Sequence, residues 1–141
     1  MSRTADISLS SKVTAALAVA LAASVVSAQP AAPADQIAEF KRGRMLYIQC
    51  RACHDLQPSP VEKVGPNLGG VIGRRAGSAA DFAYSPALQA SKLVWDEATL
   101  DRWLEKPSAL APGNTMAFAG IPNAADRAAL IRYIVLESAP R

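Results

Sequence analysis

Five consecutive residues, Cys50-Arg51-Ala52-Cys53-His54, constrain this chain more than any other stretch, because they hold both of its cysteines and its single histidine. Whatever chemistry those three side chains do, they do together. On a helical turn, residues three apart share a face with Cβ atoms about 5–6 Å apart, so both thiols can reach one planar group. C-x-x-C-H is the sequence requirement for covalent haem attachment, with the histidine under the iron as proximal ligand. Three other uses compete. A redox dithiol also takes C-x-x-C but sits beside a βαβ pattern, and the sequence has no alternating β-branched run. A structural zinc site wants four N or S ligands, one more than this window supplies. A plain disulfide leaves His54 without a role.

The N-terminal stretch bears on where the cysteines go. Met1 to Lys12 is short and charged, Val13 to Val26 is apolar and small, and Val26-Ser27-Ala28 follows. That is the order of a secretory signal peptide with its cleavage site, so residues 1–28 are expected to be removed. The apolar run is shorter than the roughly 20 residues a membrane-spanning helix needs, which implies no stable membrane insertion after cleavage; a retained anchor is the competing reading. Export to the periplasm would pair the thiols unless haem attachment consumes them. The formal net charge is +3, with no basic stripe of the kind nucleic-acid binding requires.

Residues 29–34, Gln-Pro-Ala-Ala-Pro-Ala, form a linker by composition. A single domain is expected over 35–141, all-α, with about four to five helices and irregular loops wrapped around one covalent haem. Asp35 is the expected cap of a first helix over 36–49, with Ile37, Phe40, Gly43 and Tyr47 along its buried stripe. The Pro- and Gly-rich stretch 55–77 predicts a long loop packed on something rigid. Ser85-Pro86 starts a short helix to about Ser91. Asp96 caps a helix over 97–106, with Leu100, Trp103 and Leu104 buried and Pro107 ending it. An irregular segment, 108–122, precedes a last helix capped by Asn123, with Asp126 in its first turn and Leu130, Ile131, Tyr133 and Ile134 on its apolar face.

A haem iron held by His54 needs a second ligand, and sulfur is the remaining choice. Met45 lies nine residues before His54 on one helix, about 13–14 Å along it and on the wrong side of the porphyrin. Met116 sits in Pro112-Gly113-Asn114-Thr115-Met116-Ala117-Phe118, a loop able to cross the opposite face. Core filling is the other use of a methionine there.

The ordered set of Gly43-x-x-x-Tyr47, Cys50-x-x-Cys53-His54, Gly65-Pro66-Asn67-Leu68-Gly69-Gly70, Arg74, Tyr84-Ser85, Trp95, Pro112-Gly113-x-x-Met116-x-Phe118-x-Gly120-Ile121 and Leu130-Ile131-x-Tyr133 resembles the class I, mitochondrial-type cytochromes c, in a bacterial periplasmic form. The resemblance spans about 39–137. It implies one covalently attached haem c, with Pro66 accepting from His54 Nδ1, Arg74, Tyr84 and Trp95 at the haem propionates, and Phe118 over the haem edge. It also implies that Gly43 lets Tyr133 approach the first helix. Trp103 stands where mitochondrial relatives place a tyrosine near the methionine sulfur, and an indole donates but never accepts. Leu88 replaces an asparagine, and Asn114 and Thr115 stand where relatives carry threonine and lysine.

The reading that follows is a soluble periplasmic electron carrier and not an enzyme. It would shuttle single electrons through a His54/Met116-ligated haem from a dehydrogenase or reductase complex to a terminal oxidase or reductase. An electron-accepting subunit of a periplasmic dehydrogenase complex is the alternative.

Overall fold

A computed structural model describes residues 32–140; the expected signal segment and residues 29–31 of the expected linker lie outside them. Five helices follow in order among the described residues: α1 (Pro33–Arg51), α2 (Pro86–Ala90), α3 (Glu97–Glu105), α4 (Pro107–Leu110) and α5 (Ala124–Glu137). The one β-type pairing among them is an isolated antiparallel bridge, Arg75 with Val94. This is the all-α architecture that the sequence implies.

α1 starts earlier than expected. Pro33 opens it behind Ala32, and no side chain caps it. The fixed φ of proline suits the first helical position, where the missing N–H is not needed. Asp35 therefore lies inside the first turn and contributes through the helix dipole rather than as the cap. α1 also runs on through Arg51, so Cys50 is helical.

The hub of the fold is the crossing of α1 and α5. Gly43 is buried, and a Cβ there would overlap the Ala129 carbonyl oxygen and come within 2.7 Å of Tyr133 Cβ. Only glycine lets the two backbones meet this closely. Phe40 and Tyr47 flank the crossing and hold the Tyr133 ring between them at centroid distances of 5.2 and 5.4 Å. Ile37 departs from the expected stripe: it is 56% exposed. Six residues before Gly43, it sits about 9 Å along the axis from the crossing, on the rim of a surface groove with Phe40, Arg132 and Leu136.

The three later caps form as expected. Ser85 Oγ accepts from Leu88 N–H, Asp96 from Thr99 N–H and Asn123 from Asp126 N–H. Pro107 stops α3 and at once starts α4, a single turn inside the segment expected to be wholly irregular. α3 packs on both α4 and α5. Leu100, Trp103 and Leu104 of α3 and Leu130, Ile131 and Ile134 of α5 are all buried in the core.

Gly43→Ala is expected to cost about 3 kcal/mol or more, since the added methyl overpacks a backbone contact that cannot yield; denaturant unfolding of the purified protein measures it. The Asp96 carboxyl is held below the usual carboxylate range, chiefly by the Thr99 N–H. A depressed value means its contribution is present above the ordinary carboxylate pKa of about 3.9 and lost as pH falls through the native one. Asp96→Asn, which keeps an acceptor, should lose little stability at neutral pH and should flatten that acid dependence.

Candidate haem site

The last turn of α1 delivers the two thiols. The Cys50 carbonyl accepts from both Cys53 N–H (3.0 Å) and His54 N–H (2.9 Å), so the chain keeps turning past the end of the helix and brings both cysteines to one side. Both are free and half-buried. Burial, with Cys53 beside it, pushes the Cys50 thiol up to about 11. A thiol protonated at neutral pH is a poor redox nucleophile, which weighs against the dithiol reading. Among the described residues no group of three His, Cys, Asp or Glu side chains is placed to hold a metal ion.

His54 is fixed by the loop that follows it. Its Nδ1 lies 2.8 Å from the Pro66 carbonyl oxygen, and a carbonyl only accepts, so Nδ1 carries the proton and Nε2 keeps the lone pair. Gly65 makes the approach possible, since a Cβ there would fall 2.5 Å from His54 Cε1. Burial holds the ring below its usual pKa, outweighing the Pro66 hydrogen bond, and the Lys63 ammonium acts in the same direction as burial. The ring is thus kept in the neutral form that binds metal.

Other groups tie the loop down from behind. Lys63 Nζ donates to Arg51 O (2.7 Å) and His54 O (3.3 Å) and pairs with Asp55 (2.7 Å). Tyr47 Oη donates to His54 O at 3.0 Å. Asn67 donates to Gln57 O (2.8 Å), Gln57 donates to Glu137 O, and Gly70 N–H reaches Ser138 O (2.7 Å). The loop from His54 to Gly70 is therefore laced to α1 on one side and to the end of α5 on the other.

Of the expected propionate group, Arg74 spends its guanidinium on the same loop, with Nη1 on Gly69 O (3.1 Å) and Nη2 on Asn67 O (2.8 Å). Tyr84 is half-buried with its ring edge-on to Phe82 at 4.8 Å. Burial raises its pKa, and the charge of Arg74 works against that. Trp95 is buried and meets Trp103 edge-on at 5.2 Å; its backbone N–H bonds Arg74 O at 2.9 Å. Arg74 is thus joined to Trp95 through the backbone and Trp95 to Trp103 ring to ring, while Tyr84 feels the charge of Arg74.

Met116 and Phe118 come from a strap, residues 111–122, that alternates. Met116 and Phe118 are half-buried and packed on the core, whereas Ala117 and Ala119 face solvent, the period-two pattern of extended chain. Asn114 braces the strap, donating to Ala111 O (2.8 Å) and accepting from Met116 N–H (3.1 Å). Met45, by contrast, is 67% exposed on α1. Sequence reasoning missed Lys63, Gln57 and Arg127, the last a buried arginine beside the strap; only Arg127 had a signal, a cation in the first turns of a helix where the dipole disfavours it.

The residues suit a haem: two half-buried thiols on one turn, a single imidazole with its free nitrogen defined by Pro66, and an apolar core of tryptophans and leucines against which Cys50 packs. No protein-family model matches the chain. Individual proteins do. The chain is 40% identical over 121 residues to cytochrome c2 of Rhodomicrobium vannielii, covering 86% of this chain and 94% of that one. It is 44% identical over 92 residues to cytochrome c2 of Rhodoblastus acidophilus, covering 65% and 86%. Among solved structures, cytochrome cH from Methylobacterium extorquens superposes with a TM-score of 0.63 at 38% identity, covering 68% of this chain and 96% of that one. The C-x-x-C-H turn, the Pro66-fixed histidine and this extent of likeness lead to one assignment: the chain belongs to the class I c-type cytochromes, electron-transfer proteins that carry one covalent haem c.

Proposed function

We propose that this cytochrome shuttles single electrons in the bacterial periplasm, with His54 and Met116 as the two axial ligands of its haem. It would take electrons from a dehydrogenase or reductase complex and pass them to a terminal oxidase or reductase. Haem c supplies one-electron iron chemistry, and His/Met ligation raises its potential. The protein's own residues do the rest. Cys50 and Cys53 would anchor the group, and Pro66, by holding Nδ1, leaves His54 Nε2 as the nitrogen that would bind iron. Arg74, Tyr84 and Trp95 would hold the propionates, and Phe118 would screen the edge. The observation that carries the reading is the contrast between the two methionines of the described residues. Met116 is half-buried against the core on a strap braced by Asn114, and Met45 is exposed on the outer side of α1.

Met116→Ala should abolish the sulfur-to-ferric-iron charge-transfer band of the purified holoprotein and admit imidazole or cyanide to the iron, while Met45→Ala should do neither. The reverse result would assign the ligand to Met45.

The rim of the strap also shapes how partners are met. Across Ser108 to Asn123 no side chain is charged, and Ala117, Ala119 and Pro122 are among its exposed residues. Charged rims act mainly on encounter rates. The rate of electron transfer with the physiological partner should therefore change only a few-fold between about 10 and 200 mM salt, over which the Debye length falls from about 30 Å to under 10 Å. A loss of two orders of magnitude would place docking on a charged patch elsewhere.

A further inference from the structure

Arg127 is the one arginine with a buried side chain among the described residues, 6% exposed, and nothing in the electron-transfer reading so far uses it. It stands in the first turns of α5, against the positive end of the dipole of its own helix. What holds it there comes from other elements. Nε and Nη2 fork onto the two carboxylate oxygens of Asp101 on α3, at 2.7 and 3.3 Å. Nη1 donates to Ile121 O (3.0 Å) and Pro122 O (2.9 Å), with Glu105 a further 3.9 Å away.

Those two carbonyls end the strap that carries Met116. Beside them, Ile121 N–H donates to Leu104 O at 2.7 Å. At Gly120, where φ is +112°, the chain lies so close to α3 that a Cβ would overlap the Glu105 carbonyl oxygen. The far end of the strap is held by neutral groups, the Asn114 brace and the Ala111 N–H on Pro107 O at 3.0 Å. One planar cation thus joins α3, α5 and the strap, making four hydrogen bonds at once with a bidentate fork on the carboxylate, where an ammonium has only three protons to give and no fork.

We infer that Arg127 is the positioning residue for the sixth ligand: by clamping Ile121 and Pro122 to Asp101, it holds the strap closed and sets how often Met116 leaves the iron. The inference rests on Met116 being that ligand. An exogenous ligand binds only to the strap-open state, so its apparent affinity reports the open fraction directly.

The test is imidazole titration of the ferric holoprotein, well below the melting temperature of every variant. Arg127→Lys keeps the charge and loses the fork; it should raise the apparent imidazole affinity about tenfold and weaken the charge-transfer band. Asp101→Asn, which frees the clamp on its α3 side, should move affinity the same way by less. Asp126→Asn is the control. Its carboxylate pairs with Arg42 at 2.5 Å in the same turn of α5, tying α5 to α1 rather than to the strap, so it should leave imidazole affinity unchanged. Arg127→Lys with lower thermal stability and unaltered imidazole affinity would overturn the inference, as would an equal rise in Asp126→Asn. Met116→Ala separates the two levels: if it fails to raise imidazole affinity, the ligand assignment is at fault; if it raises it and Arg127→Lys does not, the clamp is.

Discussion

The close crossing of α1 and α5 at Gly43 is the contact on which the rest of the molecule depends. It has no side chain of its own; it exists because one residue lacks a Cβ, so that the α1 backbone can rest on the Ala129 carbonyl and on Tyr133. Once the two helices are fixed, the direction of α1 decides where Cys50, Cys53 and His54 emerge. α5 then serves as a frame for the rest. Its first turns hold the methionine strap through Arg127. Its last residues hold the proximal loop through Glu137 and Ser138. The two segments with the proposed axial ligands are unrelated in sequence position, yet both are registered to the same fourteen-residue helix.

This arrangement explains how long, Pro- and Gly-rich segments can position a metal centre. Neither the loop from His54 to Gly70 nor the strap has a hydrogen-bonded ladder of its own, so each needs other partners for its backbone groups. The loop finds them in its own Lys63 and Asn67 side chains and, from outside, in Tyr47, Arg74 and Ser138; the strap finds them in its own Asn114 and, from outside, in Leu104 and Arg127. Arg74 illustrates the economy. Its guanidinium braces the loop that carries Pro66, so a propionate contact would add to a side chain already held in place, with less rotamer freedom left to lose.

Much of this was legible in the sequence, for local reasons. Caps depend on a side chain and an N–H three residues on, so Ser85, Asp96 and Asn123 mark their helices without knowledge of the fold. The C-x-x-C-H window concentrates its chemistry in five residues. The sequence misleads where a competing local signal or a distant partner decides. Asp35 looked like a cap, but Pro33 starts the helix two residues earlier. Ile37 fits the apolar stripe of α1, and only the position of the crossing leaves it in solvent. Pro107 signalled a stop and equally a start, and the sequence alone does not choose. Lys63 carries no local mark, because its partners are backbone carbonyls brought together by the loop itself.

The central claim is that His54 and Met116, on segments held by the two ends of α5, are the two ligands of one haem. Proton NMR of the reduced holoprotein with methyl-labelled methionine tests it most directly, because the ring current of a porphyrin moves the methyl group of an axial methionine far from its ordinary position. The account predicts one strongly shifted methionine methyl, absent from Met116→Ala and retained in Met45→Ala. A shifted methyl that survives in Met116→Ala, or no shifted methyl at all, would contradict it.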